Sequence, residues 1–193
     1  RAIRVSAQLD LNIPSELQNE MSTQANLLSL IAGERIRTEF FNILNLSNSG
    51  KWLKTMDSLG LLTQIIPELD CTKGVDQPKE HYWNVFEHLI ESVIKIEEIF
   101  KYCLVSNDKY KNNANPLFDH IPTYPDVDIY FNSIAGDGHT RVITSKLACL
   151  LHDIAKPITK TIDKNGKIRF LGHGESGSIM TEKILKNLKC SND

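Results

Sequence analysis

The sequence predicts an all-α protein that carries one small β-hairpin. Apolar residues recur at helical spacing along most of the chain, and Pro or Gly stands where several of these patterns start or stop. A single Asn165-Gly166 pair separates two short stretches with strand character, as expected of a tight hairpin turn. At 193 residues, the chain can form one full core or two small helical subdomains packed together.

In the first 70 residues, every predicted element is helical. The patterns predict a helix end over 1–9, a helix starting at Pro14, helices over 33–44 and 49–60, and a short apolar segment over 61–66. Proline is tolerated in a first helical turn, so Pro14 fits a helix start. Gly60 fits a left-handed cap that ends its helix.

The second part begins after a polar link over 70–80. A long helix is predicted from Trp83 to about Tyr102, with an apolar stripe formed by Val85, Leu89, Val93, Ile96 and Phe100. Residues 105–140 are rich in Asn, Asp, Pro and Gly, which favours an inserted or partly mobile loop. The remaining predicted elements are a helix over 141–154, a hairpin over 159–162 and 167–170, and a last helix over 175–188.

The composition argues against several classes of protein. The net charge of −2 gives no strongly basic whole-chain field for nucleic acid. No apolar stretch is long enough to cross a membrane, and no signal peptide is recognisable. The four cysteines are scattered without a CxxC pair, which argues against a disulfide framework or a thiolate zinc site and favours the cytoplasm. The chain starts with Arg and has no closing element after its last helix, so we expect a piece of a longer protein.

The segment LLHDIAKP, residues 150–157, contains the strongest candidate for chemistry. His152 and Asp153 offer a nitrogen and an oxygen donor to one metal ion, and Lys156, about one turn onward, could contact a phosphate. A buried histidine that is hydrogen-bonded to its surroundings is the alternative. His88 on the long helix and His173 in a Gly-flanked loop could join the pair, although spacing alone does not show that they converge.

Together, His88, LLHDIAKP and FLGHGESG resemble the HD superfamily of metal-dependent phosphohydrolases. More widely, the chain resembles the C-terminal two-thirds of bacterial tRNA nucleotidyltransferase/poly(A) polymerase family proteins, in the stretches RAIRVSAQLDLNI, GERIRTEFFNIL, LKTMDSLGLLTQIIPEL and GVDQPKEHYWNVFEH. This resemblance implies a helical neck and RNA-binding-like body over 1–70. It also implies an HD-type helical bundle over 71–193, truncated at its C-terminus and carrying the insertion at about 105–140. The transferase head of the family would precede Arg1.

The resemblance also implies roles for individual residues. His88, His152 and Asp153 would be metal ligands, and His173 a second-metal ligand or a substrate contact. Asp153 and Lys156 would serve catalysis, with Lys156 on the phosphate. Arg35 and Arg37 would contact RNA, although helix arginines near acidic residues are commonly just surface charge.

The predicted function is metal-dependent hydrolysis of a phosphate ester, either a nucleotide or an RNA-end phosphate. The cofactor would be a divalent ion (Mn, Ni, Co, Mg or Fe), and tRNA or other RNA would be a partner through the parent protein. Two alternatives stay open, a non-catalytic RNA-binding scaffold and a nucleotide-sensing HD module without turnover. No membrane partner is expected.

Overall fold

A computed structural model describes residues 1–78, 80, 82–104, 120–121 and 124–191. Over these residues the protein is mostly helical with two small antiparallel strand pairs, so the all-α prediction is confirmed. The helices are α1 (Ala2–Gln8), α2 (Ser15–Thr23), α3 (Gly33–Leu44), α4 (Ser49–Ser58), α5 (Leu62–Ile65), α6 (Val85–Leu104), α7 (Val127–Asn132), α8 (Arg141–Leu151), α9 (Lys156–Thr159) and α10 (His173–Asn187). Short 3-10 helices span Ala25–Leu30 and Pro67–Thr72. The strands are β1 (Ile134–Gly136), β2 (His139–Thr140), β3 (Thr161–Ile162) and β4 (Ile168–Arg169).

Helix α6 lies at the centre and packs against α8 and α4. Its start is capped by Asn84, whose side-chain oxygen accepts the backbone N–H of Glu87. Helix α4 approaches closely at Gly50, where an added Cβ would lie 2.3 Å from Cγ1 of Ile94. The long central helix therefore positions both of its neighbours.

The predicted apolar stripe of α6 needs one correction. Four residues of the predicted stripe are buried as expected: Val85, Leu89, Val93 and Phe100. At the level of Ile96, however, the buried residue of the helix is Glu97. A carboxylate can occupy this inward position because a cation from another helix meets it there. The apolar pattern alone could not indicate that pairing.

The cation is Lys146 of α8, whose Nζ lies 2.9 Å from Oε1 of Glu97. Lys146 also donates to the backbone oxygens of Leu44 and Leu46, at 2.9 and 2.5 Å, at the end of α3. The same Glu97 oxygen accepts the backbone N–H of Ser49, at 2.6 Å, at the start of α4. One buried ion pair thus satisfies backbone groups at two helix ends.

Residues on both sides of the predicted division at residue 70 share one continuous apolar core. It extends from Ile3 on α1, through Phe40 on α3 and Leu89 on α6, to Leu188 after α10. The N-terminal helices consequently pack directly onto the helices that carry the candidate site.

The loop predicted over 105–140 is wrong for its second half. Residues 105–119 lie outside the described part of the chain, but α7 and the β1–β2 pair occupy 127–140. Aromatic contacts stabilise this segment, since the ring centre of Phe131 lies 5.0 Å from that of Phe100 and Arg141 stacks over Tyr130. These contacts come from helices elsewhere in the chain, which a local pattern does not show.

The predicted hairpin is confirmed, although its strands are shorter than expected. Thr161 pairs with Arg169 and Ile162 with Ile168, and Gly166 has the positive φ of +74° that the tight turn requires. The last helix begins at His173, two residues before its predicted start, so His173 is helical and not in a loop. Across the described residues, we find no helix with the length and apolar character needed to cross a membrane.

Candidate metal centre

Three predicted ligands from two helical segments converge in the structure. His88 comes from the first turn of α6, whereas His152 and Asp153 directly follow α8. The Nε2 atoms of His88 and His152 are 3.2 Å apart. Oδ2 of Asp153 lies 3.4 Å from Nε2 of His88 and 3.1 Å from Nε2 of His152. The antiparallel packing of α6 and α8 therefore joins residues that are 64 positions apart in the chain.

These separations fit ligands of a single metal ion. Bonds of about 2.0–2.2 Å from one ion place neighbouring donor atoms roughly 2.8–3.6 Å apart in octahedral or tetrahedral geometry. The three atoms of His88, His152 and Asp153 fall within that range, and they form the metal-ligand group found among the described residues. A set of two imidazoles and one carboxylate suits a divalent transition ion.

Backbone carbonyl groups orient two of the histidine rings. Nδ1 of His152 donates to the carbonyl oxygen of Cys149 at 2.9 Å, and Nδ1 of His173 donates to that of Phe170 at 2.6 Å. Because a carbonyl oxygen only accepts, the proton of the neutral ring must reside on Nδ1. The lone pair of each Nε2 then faces Asp153, as in histidines that bind metal.

Asp153 is the buried centre of the group, with 4% of its surface exposed. Burial by itself would raise the pKa of its carboxyl, but hydrogen bonds from His152 and Lys156 outweigh burial and hold that pKa well below its ordinary value. When His152 is protonated on both nitrogens, its Nε2–H donates to Asp153, and this hydrogen bond raises the pKa of His152 above its ordinary value, against the opposing effect of burial. Asp153 is therefore an anion at neutral pH.

Lys156 is more buried than a lysine that only binds phosphate would need to be. Its Nζ is 2.7 Å from Oδ2 of Asp153 and donates to Oε1 of Gln77 at 2.6 Å. Gln77 in turn donates to the carbonyl oxygen of Trp83, just before α6. In this arrangement Lys156 neutralises the Asp153 carboxylate, and Gln77 fixes the position of Lys156.

Gln77 is the site residue that sequence reasoning missed. It lies in the polar link before α6, 79 positions from Lys156, and belongs to no motif with a chemical signature. Its burial next to a lysine is visible only in three dimensions.

His173 stands on the other side of the carboxylate. Its Nε2 lies 3.6 Å from Oδ1 of Asp153, whereas His88 and His152 face Oδ2. His173 is thus next to the three-ligand group without being one of its members. The His173 side chain is 40% exposed and that of His152 is 42% exposed, so this side of the centre is open to solvent.

The two predicted RNA-contacting arginines lie on α3, outside the metal centre. Arg35 is exposed to solvent. Arg37 donates to the backbone oxygen of Lys189 after α10 and pairs with Asp137 at 3.4 Å. The structure therefore engages Arg37 in holding the end of α10, whereas Arg35 faces outward.

Comparison with known proteins finds a family model that matches the N-terminal helices. Residues 10–72 match the family model described as the probable RNA- and SrmB-binding site of polymerase A. Over 191 residues, or 96% of the chain, the sequence is 24% identical to the CC-adding tRNA nucleotidyltransferase of Thermus thermophilus. Over 167 residues, or 86% of the chain, it is 28% identical to the A-adding tRNA nucleotidyltransferase of Deinococcus radiodurans. The family model and both relatives support a protein of the tRNA nucleotidyltransferase/poly(A) polymerase family.

These alignments cover 35% and 30% of the two relatives, so the chain spans about a third of the tRNA nucleotidyltransferases that it matches. The segment matched by the family model runs from the approach to α2 to the end of the second 3-10 helix. The metal-ligand group lies beyond that segment, on α6 and after α8.

Proposed function

We propose that His88, His152 and Asp153 bind one divalent cation and that this centre hydrolyses a phosphate ester within an HD-type helical bundle. The convergence of two Nε2 atoms and one ionised carboxylate at mutual distances of 3.1–3.4 Å carries the proposal. The exposed side of His152 and His173 supports it, because a substrate can approach from solvent there.

A divalent cation in this site would supply a Lewis acid that polarises a phosphoryl oxygen and makes a water molecule more acidic. His88 and His152 offer neutral nitrogen donors, and two imidazoles favour Mn, Fe, Co or Ni over Mg. Asp153 brings a negative charge that burial makes more effective. Lys156, held by Gln77, balances that charge and offers a donor to an incoming phosphate oxygen.

A hydrolysis panel tests this proposal. Phosphomonoesters, phosphodiesters and 2′,3′-cyclic nucleotides are incubated with Mn²⁺, Ni²⁺, Co²⁺ or Mg²⁺, and released phosphate or alcohol is measured. We expect turnover of at least one ester class and a loss of roughly a hundredfold or more in the Asp153→Asn variant, because a ligand is lost while side-chain shape is kept.

The matched control is Glu98→Gln, which removes a partly exposed carboxylate of α6 that pairs, among the described residues, with Lys95 one turn earlier. Its turnover should equal that of the wild type. Equal turnover in wild type and Asp153→Asn would place the activity elsewhere. Thermal stabilisation by a nucleotide without any product would instead favour the nucleotide-sensing alternative.

RNA binding by the N-terminal helices is the second candidate function. The match of residues 10–72 to a probable RNA-binding family favours it. The relatives are tRNA nucleotidyltransferases, which makes tRNA the first ligand to examine. Affinity would depend mainly on phosphate neutralisation, so each contributing arginine should affect the salt dependence.

The two predicted arginines should differ in a binding experiment with tRNA. We expect Arg35→Ala to weaken binding and to reduce the slope of log K against log salt by about one, because one phosphate contact is removed. Arg37→Ala should mainly lower the melting temperature, because Arg37 holds the end of α10. A gel shift at several salt concentrations measures the first effect, and an unchanged slope for Arg35→Ala would contradict its assigned role.

A further inference from the structure

A groove of about 680 Å³ lies between α4 and the start of α6. One wall comes from α4, and the other comes from the first turns of α6 and the residues just before them. None of the three candidate metal ligands lines this groove. Its volume is within the range of binding sites, roughly 300–1,000 Å³. A ligand in the groove would therefore bind separately from any chemistry at the metal centre.

Two adjacent aromatic side chains line the groove just before α6. Tyr82 is 91% exposed, and its ring meets that of Trp83 edge-on, with the ring centres 5.7 Å apart. The backbone of this pair is held in place, because the carbonyl oxygen of Trp83 accepts the side-chain amide of the buried Gln77 at 3.1 Å. A tyrosine ring this exposed adds little to the core and is available to a ligand.

The groove contains one more carboxylate than it has cations: Asp57, Glu87 and Glu91 against Lys54 and Lys73. Both lysines are engaged. Nζ of Lys73 lies 2.8 Å from Oδ1 of Asp57, and Nζ of Lys54 lies 2.6 Å from Oε1 of Glu91. Within the described part of the chain, no cation forms an ion pair with Glu87, which is exposed on the first turn of α6. The groove thus offers one uncompensated carboxylate.

One ring of the groove already contacts a cation. Nζ of Lys73 lies 5.3 Å from the ring centre of Phe86, as in a cation–π interaction. Over Tyr82 and Trp83, the described residues place no such cation. A guanidinium group suits the two remaining rings and Glu87 together, because it is planar, stacks on aromatic faces and donates to a carboxylate with its rigid fork.

We propose that this groove is a docking site for an arginine-bearing segment of a partner protein, with a guanidinium group stacked on the Tyr82–Trp83 pair and hydrogen-bonded to Glu87. Arginine, tyrosine and tryptophan contribute much of the binding energy at protein interfaces. The excess carboxylate favours a basic segment and opposes the phosphates of a nucleic acid. Docking here does not depend on hydrolysis at the metal centre.

Fluorescence anisotropy tests the docking on the full chain without added metal. The probes are two labelled peptides of equal charge, one built from repeated Gly-Arg-Leu and one from repeated Gly-Lys-Leu. We expect the wild type to prefer the arginine peptide by about fivefold, as stacking on an exposed ring allows. Tyr82→Ala should reduce this preference below about twofold. Glu87→Gln should weaken both peptides by about threefold, because either cation loses its charge partner.

The matched controls change the same residue types outside the groove. Tyr124→Ala removes a tyrosine that is 68% exposed, and Glu98→Gln removes a carboxylate further along α6. Both should behave like the wild type. Equal affinity of the wild type for the two peptides, or a preference that survives in Tyr82→Ala, would overturn the proposal. A labelled uridine oligonucleotide whose binding falls in Tyr82→Ala would also overturn it, since the surface would then serve nucleic acid.

Discussion

Replacement of Lys146 by Met is expected to lower the free energy of unfolding by about 3–5 kcal/mol, because it leaves the Glu97 carboxylate buried without its cation. Lys146 is 2% exposed and Glu97 is 5% exposed. Burial lowers the pKa of Lys146 even though Glu97 opposes that shift, so the lysine is costly to enclose and depends on its partner. Chemical denaturation followed by circular dichroism measures the change.

Lys54→Met is the matched control for this experiment. Lys54 lies 2.6 Å from Glu91, but its side chain is 55% exposed, and exposed pairs contribute at most about 1 kcal/mol. The double variant Lys146→Met/Glu97→Gln should recover part of the loss, since no unpaired charge then remains buried. If Lys146→Met were no more destabilising than Lys54→Met, the buried pair would not stabilise the fold.

The Lys146–Glu97 ion pair also connects two parts of the chain, the segment matched by the family model (residues 10–72) and helices α6 and α8. Lys146 and Glu97 belong to α8 and α6, which carry the candidate ligands, while their backbone partners Leu44 and Ser49 lie within residues 10–72. Losing the pair releases both helix ends at once. We therefore expect the two parts to unfold in one transition in the wild type.

Helix positions followed from local chemistry wherever the determining residues are close in sequence. The bounds of α3 coincide with its prediction, and Gly60 has the left-handed conformation expected after α4. The failures share a different cause. Helix α7 forms in a Pro- and Asp-rich segment because Phe131 meets Phe100 of α6, and Glu97 is buried because Lys146 reaches it. Both depend on partners far along the chain.

In the candidate site, too, some features could be predicted from nearby residues, whereas others depend on residues far away in the sequence. The residue types and flanking patterns of His88, His152 and Asp153 indicated a shared role, but periodicity does not show that a ring on α6 reaches 3.2 Å from a ring after α8. Gln77 has no motif at all. Lys156 illustrates an intermediate case, because its proximity to Asp153 follows from one helical turn, whereas its burial against Gln77 does not.

Replacing His88 by Ala is expected to abolish most of the stabilisation that a divalent cation gives to this protein. At a Mn²⁺ concentration of about 100 times its Kd, binding stabilises the folded chain by about 2.7 kcal/mol. For a chain of this size, that corresponds to a rise in Tm of roughly 5–10 °C. Loss of a ligand that weakens binding by roughly a hundredfold leaves only about 0.4 kcal/mol at the same concentration.

Thermal unfolding with and without Mn²⁺ measures this difference, and His120→Ala controls for weak binding by an exposed histidine elsewhere. The stabilisation by Mn²⁺ should also depend on pH, and the protonation of His152 determines the direction of that dependence. The pKa of His152 is raised by its hydrogen bond to Asp153, so the ring is protonated and cannot offer Nε2 to a cation as pH falls below that pKa. The Mn²⁺-dependent rise in Tm should therefore be full above the raised pKa of His152 and should disappear as the pH falls below it. A rise that persists in His88→Ala would mean that the cation binds outside this centre.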